Sequence, residues 1–251
     1  MKKTVIFLFS LMLSLMAFGQ IETKDLMINL EEVEVTPPMF TGVENVVAIL
    51  QTNNTELVKE FIVENINYPE KALDHEEEGT VIIQFIVTSD GTVNNFKVVN
   101  SVSPNIDNEL IRVLKTTTGM WNPGYNNGAP VAMGKEVSMV FCVDECEFNS
   151  VMEHFTIKAA EYFQNGCKKL FVKHTPKKAL KQYDKGIKYL PNDKALLYVR
   201  GLCRYELGDE EGARKDWNRI ISLGGVDYGE FAYEPSGMKG YAEMVKMFAN
   251  K

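Results

Sequence analysis

The chain has 251 residues, 45% hydrophobic and 10% aromatic, enough to bury one large core or two small ones and too apolar for a disordered or fibrous chain. Its net charge of −7 is uneven: residues 20–150 carry 7 basic against 21 acidic side chains, and residues 151–223 carry 15 against 9. That asymmetry implies two domains and argues against nucleic acid as the partner of the whole chain.

Lys2 and Lys3 precede an apolar run from Val5 to Phe18, and Ala17-Phe18-Gly19 forms a small-x-small cleavage site before Gln20. The run is shorter than the roughly 20 residues of a comfortable spanning helix. Residues 1–19 therefore read as a cleaved signal peptide and the mature protein as exported to the periplasm, with an uncleaved inner-membrane anchor as the alternative. Residues 20–37 are an acidic connector closed by Pro37-Pro38. Even fully extended, Gln20 to Phe40 covers only about 70 Å, at roughly 3.3–3.6 Å per residue.

Val43 to Ile66 has helical spacing in two patches, Val46, Val47, Ile49 and Leu50, then Leu57, Val58, Phe61 and Ile62, with Asn53 and Glu56 as a capping pair between them. Tyr68-Pro69 ends the helix, and residues 69–78 form one or two further turns. Thr80 to Thr88 is a β-branched strand, and Asp90-Gly91 predicts a two-residue hairpin turn with positive φ at both positions. Val93 to Val102 is the partner strand. Ile106, Leu110, Val113 and Leu114 define a helix, and residues 119–129 read as a loop carrying Trp121, Pro123 and Gly124. Val131, Met133, Val137, Met139, Phe141 and Val143 alternate with polar or small residues, as in a half-buried antiparallel strand.

The fold class expected of residues 38–146 is thus α+β, an antiparallel three-stranded sheet with helices. The residues that carry it resemble the C-terminal domain of TonB, the periplasmic energy transducer, in the form common in Bacteroidetes. They are Pro38-Met39-Phe40-Thr41-Gly42, Asn65-Ile66-Asn67-Tyr68-Pro69 with Ala72, Gly79-x-Val81, Phe85-x-Val87, Asp90-Gly91, Val98-Val99-x-Ser101-Val102, Trp121-x-Pro123-Gly124 and Gly128 to Val131. The resemblance implies a protein-binding domain. An edge strand receives an extended segment, such as a TonB-box-like peptide of an outer-membrane receptor, through backbone pairing. By that analogy the partner-binding candidates are Lys135, Val137, Met139 and Phe141, with Asn65 and Tyr68 nearby. The alternative for these residues is core packing and edge protection, Lys135 serving as a charge that blunts the edge.

Residues 151–224 fit two tetratricopeptide-like repeats, an all-α domain, with residues 225–251 as a cap. Gly166, Ala179, Tyr183, Gly186 and Pro191 carry the first, and Gly201, Tyr205, Gly208, Ala213, Trp217 and Ile220 the second. Gly166 to Ala179 holds one residue more than the repeat requires, which the spacing places at His174-Thr175-Pro176. Two repeats are few for independent stability, so this unit is expected to pack on the first domain. The lysines at 168, 169, 173, 177, 178, 181, 185 and 188 read first as a solvated helical face. Binding of an acidic partner and docking on the acidic first domain are the alternatives.

Cys142 and Cys146 are spaced to close a small disulfide loop, whereas Cys167 and Cys203 fall on apolar helix faces. No C-x-x-C pair occurs, and His75, His154 and His174 stand in no ligand motif, so neither metal nor cofactor is expected. There is no phosphate-cradling loop, nucleophile elbow or paired-His helix, and no small-molecule substrate is indicated. The expectation is an exported protein-binding adaptor linked to TonB-dependent transport and not an enzyme; a membrane-anchored energy transducer is the alternative.

Overall fold

The computed structural model describes residues 34–42, 54–143, 148–225 and 237–249. The signal peptide, most of the connector, the patch from Val46 to Leu50, the Asn53 cap and Cys146 lie outside the described residues.

The first core forms around β3 (Gly79–Val87), the middle strand of the antiparallel order β4 (Val93–Asn100), β3, β8 (Met133–Phe141). Side chains alternate between faces along a strand. Val81, Ile83, Phe85 and Val87 therefore share one face and pack with Ile62 of α1 (Asn54–Asn65) and with Ile106, Leu110, Val113 and Leu114 of α3 (Pro104–Thr116). Ser103 caps α3, accepting from the Ile106 amide at 3.4 Å, and Pro104 takes the first helical position, where no amide is required. The short α2 (Glu70–Asp74) follows Tyr68-Pro69.

The β3–β4 turn differs from the two-residue form expected. Gly91 N–H donates to Thr88 O at 3.0 Å and Thr88 N–H to Thr92 O at 2.9 Å, and within this turn only Gly91 has positive φ, +79°. That is a three-residue loop with a single left-handed residue. A Cβ on Gly91 would also lie 2.4 Å from Trp121 O. The Asp90 carboxylate accepts from the Thr88 and Thr92 hydroxyls and the Thr92 amide, which hold its pKa down to about 2. In β4 the register against β3 shifts around Asn95, whose φ is +53°. Val93 and Phe96 consequently pack in one core while Val98 and Val99 are partly exposed.

Residues 119–129 are more ordered than a loop. β5 (Trp121–Asn122) pairs with β2 (Met39–Phe40), while β6 (Gly124–Asn126) pairs with both β1 (Val35–Thr36) and β7 (Ala129–Val131). The Pro37-Pro38 stretch thus lies between two short strands, and pairing begins inside what reads as connector. Trp121 wedges against Phe40 and Phe85, with ring centroids 5.2 and 5.5 Å away, and its indole N–H donates to Thr117 Oγ1 at 2.9 Å.

The second core is helical. α4 (Phe148–Cys167) runs into a π-helical segment, Lys168–Val172. α5 (Pro176–Tyr189), α6 (Lys194–Glu206) and α7 (Glu210–Ser222) then pack in succession, and α8 (Lys239–Ala249) lies on α6 and α7. Gly166 and Gly201 stand where helices cross: an added Cβ would lie 2.3 Å from the Tyr183 ring and 2.3 Å from the Trp217 indole, respectively. Ala179, Gly186, Pro191 and Ala213 are buried as well, and Tyr205 stacks on Trp217 at 5.9 Å. The extra residue before Ala179 is taken up earlier than its spacing suggests. A π turn holds one more residue than an α turn, and Lys173 N–H reaches back to Lys168 O at 3.1 Å across it.

The helical core packs on the second face of the sheet. Thr80 is 6% exposed and Ile82 is 0% exposed, although both point away from the first core. The Thr80 hydroxyl donates to Tyr189 O at 2.8 Å, and a Cβ on Gly79 would stand 2.7 Å from Lys188 O. Lys158 Nζ donates to Glu78 Oε1 at 2.5 Å. Of the lysine series only Lys188, in the last turn of α5, reaches this seam. Docking on the first domain is therefore not the role of the series as a whole. Among the described residues no helix is long and apolar enough to cross a membrane.

The outer edge of the last strand as a candidate binding site

β8 pairs with β3 along nine residues without a register break, from Gly79↔Phe141 to Val87↔Met133. Among the described residues no strand pairs with its other side. Which backbone groups face outward follows from β3. Thr88 N–H bonds toward β4, and Thr80 O accepts there from Asn100 Nδ2 at 2.6 Å. Even-numbered residues of β3 thus turn their amides and carbonyls to β4, and odd-numbered ones to β8. In an antiparallel ladder directly opposed residues either exchange both hydrogen bonds or both turn away. Lys135, Val137, Met139 and Phe141 therefore bond to β3, and the outward amides and carbonyls belong to Gly134, Glu136, Ser138 and Val140.

The candidate side chains divide accordingly. Val137 and Phe141 are 4% and 5% exposed and belong to the first core, so they present no side chain to a partner. Met139 packs against the same core. Lys135 lies over the Trp121 ring, 6.0 Å from its centroid, and burial pushes its ammonium pKa down. It is a packed cation and not a free charge on the edge. Tyr68 meets Phe141 edge to face at 5.7 Å, and its hydroxyl donates to Glu77 O at 2.5 Å. Burial, followed by the neighbouring Glu78, Cys142 and Glu77, raises the phenol to about 12. Asn65 is engaged elsewhere: its Nδ2 donates to Phe61 O at 2.7 Å and its carbonyl accepts from Arg112 at 2.9 Å. The structure thus brings Tyr68 to the end of β8 and leaves Asn65 with α3.

Glu136, absent from the candidates, fixes the edge to the helical domain. Arg219 donates to both carboxylate oxygens, at 2.6 and 2.8 Å, and Gln84 Nε2 donates at 3.0 Å. Burial alone would raise the Glu136 pKa, but the hydrogen bonds from Arg219 and Gln84 and the Arg219 charge outweigh it and hold the carboxyl below its usual range. The strand alternation already carried the signal for these outward residues, because the phase that points away from the core also points its backbone away from β3. The Arg219 contact joins positions 83 apart and has no such signal.

Cys142 Sγ lies 3.9 Å from Glu78 Oε2, and its expected partner Cys146 is outside the described residues. Cys203 is buried and its thiol is raised to about 12, first by burial, while half-buried Cys167 accepts from the Tyr183 hydroxyl at 3.6 Å. Among the described residues no group of three His, Cys, Asp or Glu side chains could hold a metal ion.

Residues 64–142 match the family model of the Gram-negative bacterial TonB protein C-terminal. Two NMR solution structures of the Helicobacter pylori TonB C-terminal domain are similar. The first is 18% identical, covers 38% of this chain and 100% of its own, and has a TM-score of 0.31. The second is 19% identical over 38% and 88%, with a TM-score of 0.32. No curated protein matches the chain. The segment from Glu64 to Cys142, which holds the β4-β3-β8 sheet, is thus similar to the C-terminal domain of Gram-negative bacterial TonB proteins.

Proposed function

We propose that this protein is an exported periplasmic adaptor, not an enzyme, linked to TonB-dependent outer-membrane transport, and that it captures an extended protein segment by strand addition to β8. The observation that carries this reading is the unpaired side of β8, where Gly134, Glu136, Ser138 and Val140 turn their backbone groups outward beside an unbroken nine-residue ladder. Strand addition draws affinity from the backbone and specificity from alternate side chains. The partner in this reading is a TonB-box-like peptide of an outer-membrane receptor. The helical domain supplies two tetratricopeptide-like repeats as a second protein-binding element, in support of which Gly166 with Tyr183 and Gly201 with Trp217 make the same helix crossing twice.

The test is Ser138→Pro, which deletes one outward donor without touching the β3 ladder. Binding of a synthetic TonB-box peptide, measured by calorimetry, should fall at least about tenfold while the melting temperature holds, since one lost hydrogen bond plus an edge clash exceeds about 1.4 kcal/mol. Unchanged binding would remove the strand-addition reading. If the apolar run from Val5 to Phe18 is retained and not cleaved, the second reading is a membrane-anchored transducer. The intact mass of the protein from soluble and membrane fractions separates the two: a soluble species starting at Gln20 supports the adaptor, and a full-length membrane species supports the transducer.

A further inference from the structure

We infer that the corner between α4 and α5 is a docking surface for an anionic phospholipid bilayer. From Lys168 to Lys188 there are eight lysines against a single acid, Asp184. Six of them, at 168, 169, 173, 177, 178 and 181, fall on the π segment, on the residue that ends it and on the first turns of α5. Two backbone bonds fold these stretches together: Lys173 N–H to Lys168 O at 3.1 Å and Thr175 N–H to Lys169 O at 2.8 Å. Among the described residues none of the six makes an ion pair, whereas Lys158, Arg200, Arg204, Arg214, Lys215 and Arg219 all do.

Within this stretch Val172 is 70% exposed, the most exposed large apolar side chain among the described residues. An exposed apolar side chain flanked along the chain by lysines is the chemistry of an interfacial anchor. The lysines hold the anionic surface and the apolar side chain enters the headgroup boundary. The corner lies where α4 and α5, which pack against each other, are joined. Its cations are all lysines, point charges suited to a diffuse field, and none is an arginine placed for bidentate capture of a single carboxylate.

The position in the molecule makes the charge usable. The far end of α5 touches the sheet through Tyr189, and the 14 residues of α5 span about 21 Å at 1.5 Å each. Along the helix Lys177 and Lys178 thus lie about 16–18 Å from Tyr189 and Lys181 about 12 Å, against a Debye length of about 8 Å at physiological salt, so the field of the acidic first domain is screened at the corner. The molecule would stand with its helical hairpin on the bilayer and its sheet away from it.

The experiment is co-sedimentation of the full chain with vesicles of one-third phosphatidylglycerol in phosphatidylcholine, against pure phosphatidylcholine. The comparison is with Lys173→Ser/Lys177→Ser/Lys178→Ser/Lys181→Ser and with Val172→Ser. The apolar N-terminal run with Lys2 and Lys3 is the same in every variant, so the change in the charge-dependent increment between variants reads the corner. Each lysine near an anionic surface is worth about fivefold in affinity. The quadruple variant should lose roughly 600-fold of the increment, about fivefold for each of its four lysines, and added salt should abolish it in the native chain. Val172→Ser should weaken binding several-fold with its salt dependence unchanged. Because these side chains are exposed, an unaltered melting curve verifies that each variant is folded. Equal binding to both vesicles, or an increment untouched in the quadruple variant, would overturn the assignment. Retention on immobilised polyglutamate with no vesicle increment would do the same and would point to an acidic protein.

Discussion

Glu136 is the side chain with the most consequence per atom, because it sits on the exposed strand and on the seam between domains together. Its folded pKa is depressed, so its stabilising contribution is present above the ordinary glutamate value of about 4.3 and is lost as pH falls through the folded value. Glu136→Gln should therefore cost about 1 kcal/mol at pH 7, after discounting for partial exposure, and should flatten the loss of stability between pH 5 and 3. Urea titrations at several pH values check this; identical acid limbs in the two proteins would remove Glu136 from the account. Gly166→Ala and Gly201→Ala should each cost about 1–3 kcal/mol, because the new methyl meets a buried ring that has nowhere to go. Thermal melts read that cost, expected as a fall of several degrees in a chain of this size.

At the scale of elements, the phase of β8 separates two prolines one position apart. Val137→Pro removes a donor from the ladder to β3 and a side chain from the core, so about 3 kcal/mol or more of stability should go. Ser138→Pro should leave the fold within about 1 kcal/mol of the native chain while impairing strand addition. Parallel denaturation curves distinguish them, and equal losses would mean that the ladder phase is wrong. Much at this scale was legible in the sequence. Alternation located β8, β-branched residues located β3, and the spacing of Ile106, Leu110, Val113 and Leu114 located α3. The turn type was not, because Asp90-Gly91 suits both a two-residue and a three-residue hairpin, and the contact with Trp121 O that accompanies the wider loop is tertiary. Nor were β5, β6 and β7 legible. Two- and three-residue strands have no periodicity of their own and exist here because residues 35–40 come to pair with them.

Across the whole molecule, the two cores share the sheet. Ile82 is fully buried yet points away from the first core, so it is covered by the helical domain. Ile82→Ala should cost about 2–5 kcal/mol and lower the stability of both halves together. Native-state hydrogen exchange on α3 and on α6 reports this directly, and protection lost on only one of them would mean that the halves unfold independently. The sequence gives no direct signal for this contact, which joins Thr80 to Tyr189 and Glu136 to Arg219 across long separations. The face it uses was hidden because a strand buried on both sides reads as a continuous apolar run.

The unbroken β3–β8 ladder also gives the molecule a mechanical grain. A segment paired along the outside of β8 and pulled along its own length would load every backbone bond at once, in shear, and so would the nine-residue ladder behind it. The β3–β4 side has two register shifts and carries Val98 and Val99 partly exposed, so it shares load less evenly. Tension applied through a captured strand would thus be borne at the β8 seam, stiffened from the other domain by the Arg219–Glu136 clasp, while the β4 hairpin is where the sheet gives first.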